Sequence, residues 1–201
     1  MNLQETNETK KENKDEEQII LPIIENDLNL ISLCGDIDEE KCLETMQAMR
    51  VLHSIAEEKE TGDPFQFEFL ISTCGGSASD MFAIYDTMRM IREDCEITTR
   101  GLGKVMSAGV LLLAAGTKGK RLLGANCRLM IHSVVSGHMG ELHNLENELE
   151  EVKWTQEQYI KCLAKETNMT KKYIKNLLNR KVNVYLTAEE AVEHGIADEV
   201  F

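Results

Sequence analysis

The clearest indication of the fold class is the sequence FEFLISTCGGSASDMFAIYDTMRMI at residues 67–91. Its first part, Phe67 to Ile71, is a short apolar run that predicts a strand. A Gly75-Gly76-Ser77 turn follows the strand. Apolar residues then recur at three- and four-residue spacing, which predicts a helix with one buried face; they are Met81, Ile84, Tyr85, Met88 and Ile91. A strand, a turn and a helix in this order predict one βα unit of a parallel sheet.

The same alternation extends over the rest of the chain. Further strands are predicted at Leu28 to Leu33, Glu96 to Thr99 and Arg128 to Ile131. The first predicted helix is capped by Asp36 or Asp38 and carries Leu43, Met46, Met49 and Leu52. A buried helix is predicted at Ser107 to Ala115, and a long amphipathic helix over Leu142 to Leu163. Two short helices are predicted at Tyr173 to Leu178 and Ala188 to His194. The sequence therefore predicts an α/β fold in which helices cover a largely parallel sheet.

Charge and composition exclude several classes of function. The 201 residues are 42% hydrophobic and 28% charged, as in ordinary globular domains, and 35 acidic against 22 basic residues give a formal net charge of -13. This sign is wrong for binding the phosphates of nucleic acid or of anionic lipids. No apolar run approaches the roughly 20 residues of a membrane span, and the first 18 residues lack the apolar core of a signal peptide. We expect a cytoplasmic protein that binds neither nucleic acid nor a membrane.

The first 18 residues differ in composition from the rest. They are rich in acidic residues and Asn and carry almost nothing to bury, so ordering them would cost entropy without a return. We predict a disordered acidic tail over residues 1–20 and one folded domain over residues 21–201. The six cysteines form no C-x-x-C pair, and no two histidines have metalloprotease spacing, so neither a metal site nor a cofactor is predicted.

Three segments where a strand gives way to a turn or a helix are candidates for chemistry, because sites in open α/β sheets lie at such places. The Gly75-Gly76 turn could direct backbone N–H groups at an oxyanion, although a simple tight turn explains it equally. Ser107, at the start of an apolar helix, is either a nucleophile or an N-cap. His132, at the end of a strand, is either a general base or a hydrogen-bonded structural histidine.

Four segments taken together are much more specific than any one of them. They are GGSASDMFAIYDTM from Gly75, MSAGVLLLAAGTKGKR from Met106, RLMIHS from Arg128 and YLTAEEAVEHGIADEV from Tyr185. In order and spacing they closely resemble the Clp protease proteolytic subunit (ClpP) family of the crotonase-like superfamily, and the resemblance runs from about Leu28 to Val200. It implies an α/β crotonase-like fold with stacked sheets, flanking helices and a protruding handle helix.

The resemblance also implies a serine endopeptidase that cleaves unfolded polypeptides inside an oligomeric chamber. By position, Ser107 is the nucleophile, His132 is the general base, and the N–H groups of Gly76 and Ala108 form the oxyanion hole. The segment from Val134 to Gly140 becomes a strand that binds substrate and contacts the second ring. The implied assembly is a double heptamer, with a Clp ATPase unfoldase or a homologous ring subunit as further partner.

Three departures from the family pattern bear on activity. Asn183 takes the place of the usual third triad Asp, and an Asp-to-Asn change in a Ser-His-Asp enzyme can cost about 10⁴ in kcat. Asn does orient the histidine of papain-like enzymes, so we predict a slower or conditionally active site rather than an inactive one. Cys74 replaces the usual Pro before the Gly-Gly pair, either as filler at a strand end or as a regulatory or nucleophilic thiol. The acidic tail is unlike the family segment that docks the ATPase.

Two alternatives to an active peptidase remain open at this point. A weakly active or inactive ring subunit with an assembly or regulatory role would explain both Asn183 and the tail. A crotonase-type acyl-CoA enzyme could use the same two N–H groups on a thioester oxygen, but the sequence offers no basic cluster for the phosphates of CoA.

Overall fold

Residues 29–58, 65–180 and 182–201 are described in a computed structural model of the chain. Both the predicted tail, residues 1–20, and its boundary with the domain lie outside this range. The strands are β1 (Leu30–Cys34), β2 (Phe65–Thr73), β3 (Cys95–Met106), β4 (Arg121–Leu123), β5 (Arg128–Ile131), β6 (Val184–Leu186) and β7 (Glu199–Val200). The helices are α1 (Glu39–Glu58), α2 (Ala78–Ile91), α3 (Ala108–Ala114), α4 (Leu142–Glu166), α5 (Lys171–Leu178) and α6 (Ala188–Glu193).

The sheet is parallel along its main path and branches at β3. Its order is β1-β2-β3-β4-β7, and every neighbouring pair on this path is parallel. The middle of β3 pairs with β4 through Thr99 to Gly101, whereas its last residues, Lys104 to Met106, pair with β5. Strand β5 also pairs with β6, in the antiparallel sense. The predicted α/β fold is confirmed. All seven described strands belong to one hydrogen-bonded sheet, in which β3 joins the main path to the branch formed by β5 and β6.

The sequence pattern predicted each of the described helices and four of the described strands, but it missed the three shortest strands. All five apolar residues predicted to line one face of α2 are buried. Strand β3 continues to Met106, well beyond the predicted end at Thr99, because β5 supplies a second partner where β4 ends. Strands β4, β6 and β7 were not predicted, since two or three residues are too few to show a periodicity. No helix in the described ranges is long and apolar enough to span a membrane.

Helix α4 is attached to the domain by its C-terminal part. Its buried residues are confined to positions from Tyr159 onward, so the N-terminal half projects from the core as the predicted handle. At the last residue of the helix, the Glu166 carboxylate is 1% exposed. It accepts hydrogen bonds from the Tyr85 hydroxyl at 2.9 Å, from Arg89 at 3.1 Å and from Arg92 at 3.2 Å, all on or just after α2. These bonds fix the end of α4 against α2.

We expect Glu166→Gln to lower the free energy of unfolding by about 3 kcal/mol, because breaking a buried ion pair leaves its partners without a counter-charge. Urea unfolding followed by circular dichroism measures this loss. The matched control is Glu157→Gln on the same helix, where an exposed carboxylate pairs with Lys175 at 2.8 Å and stability should change little. A Glu166→Gln protein as stable as the Glu157→Gln protein would contradict the anchoring role.

Candidate active site

A cavity of about 210 Å³ lies where β2, β3 and β5 end. Because these three strands are parallel neighbours, their carboxyl ends lie side by side, and the residues that follow them meet at one edge of the sheet. The lining includes Gly76 after β2, Ser107 and Ala108 after β3, and His132 after β5. The three segments singled out in the sequence are therefore brought together around one space.

Ser107 connects β3 to α3 in a strained conformation. Its φ of 54° and ψ of -119° make it the sole non-glycine residue with positive φ among the described residues. Such a conformation costs of order 1–3 kcal/mol and persists only where the surroundings enforce it. The Ser107 N–H donates to the Met130 carbonyl at 2.7 Å, which ties the strained residue to β5. Although Ser107 occupies the N-cap position of α3, its side chain makes no capping hydrogen bond.

The hydroxyl of Ser107 faces the imidazole of His132 instead. The distance from Ser107 Oγ to His132 Nε2 is 2.8 Å, which is a good hydrogen-bond length. A histidine at this distance can take the hydroxyl proton as oxygen attacks an electrophile. The sequence left two interpretations for each of these residues. The contact between them supports a nucleophile paired with its base, and it does not support a helix cap and a structural histidine that act separately.

The Gly75-Gly76 turn packs directly against Ser107 and against the segment after β1. A β-carbon built on Gly75, whose φ is +100°, would lie 2.6 Å from Ser107 Cβ. One built on Gly76 would collide with the carbonyl oxygen of Ile37. Ile37 fixes the turn from both sides, since its N–H donates to the Gly75 carbonyl at 2.9 Å and its carbonyl accepts from the Ser77 N–H at 2.8 Å. Only glycine fits at these two positions.

The turn and α3 each leave a backbone donor at the cavity. Gly76 lies between the Gly75 carbonyl and the Ser77 N–H, which are both bonded to Ile37. Ala108 is the first residue of α3, where N–H groups lack an intrahelical partner. Within the part of the chain that the structure describes, neither the Gly76 N–H nor the Ala108 N–H meets an acceptor. Two unpaired donors beside a Ser-His pair suit a site that stabilises developing negative charge on oxygen.

Asn183 is the one predicted site residue that the structure does not join to the others. The antiparallel register of β5 and β6 pairs Ile131 with Val184, so the next positions, His132 and Asn183, lie opposite each other just beyond the paired residues. The Asn183 residue is exposed, and among the described residues it makes no hydrogen bond to the imidazole. Its role as third member of a triad stays a prediction.

Residues from α4 and from the segment after His132 complete the cavity. Thr155 and Tyr159 of α4 line it, together with Val134 and Val135. The segment from Val134 to Gly140 is not a strand in this chain, because no neighbouring strand among the described residues pairs with it. Tyr159 was predicted only as part of the apolar stripe of a helix. No local pattern could place it near Ser107, which is 52 positions earlier in the sequence.

Cys74 lies beside the Gly-Gly turn but not in the cavity lining. The thiol is exposed, and Lys104 Nζ donates to its sulfur at 3.1 Å, a bond that raises the pKa of the lysine. The side chain is therefore not a buried filler of the strand end. Within the described ranges no three His, Cys, Asp or Glu residues are grouped as a metal site would require.

Comparison with known proteins gives a family for this architecture. The family model described as Clp protease matches residues 15–201. The chain is 33% identical over 173 residues to ATP-dependent Clp protease proteolytic subunit 2 of Corynebacterium jeikeium, covering 86% of this chain and 78% of that protein. It is 35% identical over 172 residues to proteolytic subunit 1 of Rhodococcus jostii, covering 85% and 74% of the two chains. The chain belongs to the Clp protease family.

Proposed function

We propose that this chain is a serine endopeptidase that cleaves unfolded polypeptides, with Ser107 as nucleophile and His132 as general base. The observation that carries the proposal is the 2.8 Å contact between Ser107 Oγ and His132 Nε2 in a cavity bordered by two unpaired N–H groups. Membership of a family whose relatives are named proteolytic subunits supports the same chemistry.

The reaction begins when Ser107 Oγ attacks the carbonyl carbon of the scissile peptide bond. His132 Nε2 takes the hydroxyl proton, and the carbonyl oxygen becomes an oxyanion. Collapse of this tetrahedral intermediate breaks the C–N bond, and the imidazolium returns its proton to the leaving amine. A water molecule then attacks the acyl-enzyme, again with His132 as base, and releases the carboxylic acid and the free hydroxyl.

The N–H groups of Gly76 and Ala108 are the proposed donors to the oxyanion. Because they lie on the backbone of a fixed turn and of a helix start, they need no rearrangement as charge develops. Loss of one such donor typically costs about 10²–10³ in rate. The strain at Ser107 serves the same end, since it presents the hydroxyl to the cavity rather than to the backbone of α3.

Asn183 is the proposed orienting group for His132. An amide oxygen can accept from the Nδ1–H of a neutral imidazole, but it stabilises the imidazolium less than a carboxylate does. Asn183 lies just before β6, opposite His132, and the triad would be complete if its side chain approached the imidazole ring. We therefore expect catalysis that is slow for a serine peptidase.

Ser107→Ala should abolish covalent labelling by a fluorophosphonate. His132→Ala should lower kcat by at least about 10²-fold, because Asn183 already forfeits up to about 10⁴ of the roughly 10⁶-fold effect of a complete triad. Intact-protein mass spectrometry detects the adduct, and peptide mapping assigns it. Ser54→Ala, a change at an exposed serine on α1, is the control and should label like the wild type. A wild-type chain that stays unlabelled when assembled would overturn the peptidase proposal and favour a ring subunit without activity.

Asn183→Asp should raise peptidase kcat, by up to about 10⁴-fold, because a carboxylate opposite His132 stabilises the imidazolium that forms during acylation. Turnover of a fluorogenic peptide at saturating concentration measures the gain. Asn176→Asp adds the same charge to an exposed position on α5 and should leave turnover unchanged. A variant at Asn183 no faster than wild type would mean that this residue does not limit the rate.

Assembly into a double heptamer in the cytoplasm is the proposed setting for this chemistry. Large apolar residues are exposed along the handle helix and the segment before it; they are Val135, Met139, Leu142, Leu145, Leu149 and Trp154. An apolar stripe of this size suggests a surface that another protein covers. A chamber closed by two rings would admit unfolded chains and exclude folded ones, and a Clp ATPase unfoldase is the proposed partner that delivers them.

Fourteen copies of the 22.7-kDa chain would have a mass of about 318 kDa, which light scattering distinguishes from the monomer. We expect the larger mass for the wild type. Leu149→Glu places a charge on the exposed stripe and should shift the mass downward, because burying an unpaired carboxylate between rings is costly. Asn147→Glu adds the same charge at an exposed position two residues away, on the opposite side of α4, and is the control for added negative charge. A monomeric wild type would contradict the chamber.

A further inference from the structure

Tyr159 makes a hydrogen bond that the proposed reaction does not yet use. This residue on α4 is 6% exposed, and its hydroxyl donates to the carbonyl oxygen of Ser107 at 3.2 Å. Burial raises the pKa of the hydroxyl, so it remains a proton donor at physiological pH. The helix that carries it is fixed two turns further on, where Glu166 is bound to α2. A rigid element therefore delivers this donor.

The carbonyl that accepts this bond belongs to the same peptide group as the Ala108 N–H. None of the described peptide bonds is cis, and in a planar trans peptide the C=O and N–H bonds point in opposite directions. Any group that holds the Ser107 carbonyl on one side thus sets where the Ala108 N–H points on the other. Hydrogen bonding to the carbonyl also polarises the peptide and strengthens its N–H as a donor.

The Ser107 carbonyl has a second donor, but that bond is local. The Val110 N–H donates to it at 3.1 Å, from three residues further along the same turn. Because Val110 lies in the same turn as Ser107, its N–H moves together with the Ser107 carbonyl. The Val110 bond therefore cannot prevent the whole turn from rotating. Tyr159 belongs to a different element, so its hydroxyl opposes relaxation of the strained φ of Ser107. The Val110 bond also keeps the carbonyl paired if the Tyr159 hydroxyl is removed.

We propose that Tyr159 is a positioning residue that holds the Ser107–Ala108 peptide in the orientation required for the oxyanion hole. The inference rests on the proposed function, because it takes Ser107 as nucleophile and the Ala108 N–H as an oxyanion donor. Tyr159 itself transfers no proton and touches no reacting atom. Its effect is on the geometry of the transition state, not on the affinity for substrate.

Tyr159→Phe removes the hydroxyl and keeps the ring that fills the core. Loss of one neutral hydrogen bond should lower the rate constant of fluorophosphonate labelling, kinact, and kcat for a peptide about five- to tenfold. The constants KI and KM should stay close to the wild-type values. The pH midpoint of kcat/KM should also remain unchanged, because the contact between Ser107 and His132 is intact. A thermal melt verifies that the variant is folded.

Tyr85→Phe is the matched control. It removes an equally buried hydroxyl that bonds to α4 at Glu166, and so it tests whether loosening the helix alone reproduces the effect. We expect a lower melting temperature for this variant with wild-type kinact. A folded Tyr159→Phe protein that labels at the wild-type rate, or a Tyr85→Phe protein that slows equally, would overturn the positioning role while leaving the proposed function intact. An unlabelled wild type would instead overturn both.

Discussion

The close approach of the Gly75-Gly76 turn to Ser107 is the constraint on which the site depends. Gly75 faces the β-carbon of Ser107, and Gly76 faces the backbone of Ile37, so neither position has room for a side chain. This contact requires β2 and β3 to be parallel neighbours, with their carboxyl ends at the same height. The turn on one side and Met130 on the other hold the strained backbone of Ser107, and Tyr159 binds its carbonyl.

The parts of this arrangement that could be predicted from sequence are those coded within a short segment. The buried face of α2 follows from spacing alone, because a helix brings positions three and four apart onto one side. Ser107 and His132 each had an ordinary structural interpretation when taken singly. The resemblance of four segments to one family selected them together, and the structure then brought their side chains within 2.8 Å.

The parts that could not be predicted depend on contacts between distant segments. Glu166 looks like one more acidic residue on an amphipathic helix, yet it is buried among a tyrosine and two arginines near α2. The branching of β3 depends on which partner each half finds, and no pattern within β3 encodes this. Asn183 shows the opposite case: its sequence position suggests a triad, whereas the backbone places it opposite His132 without a bond between them.

Helix α4 combines two kinds of residue that are usually separate in an enzyme. Its exposed N-terminal half carries the apolar side chains of the proposed assembly surface, and its buried C-terminal half carries Tyr159 against the Ser107 carbonyl. Glu166 and the buried residues from Tyr159 onward fix the C-terminal half of α4 against the core. Because a hydrogen bond weakens steeply with misalignment, the contact between Tyr159 and the Ser107 carbonyl depends on this half of the helix staying in place. The same helix that carries the proposed assembly surface therefore also contacts the residue proposed as nucleophile.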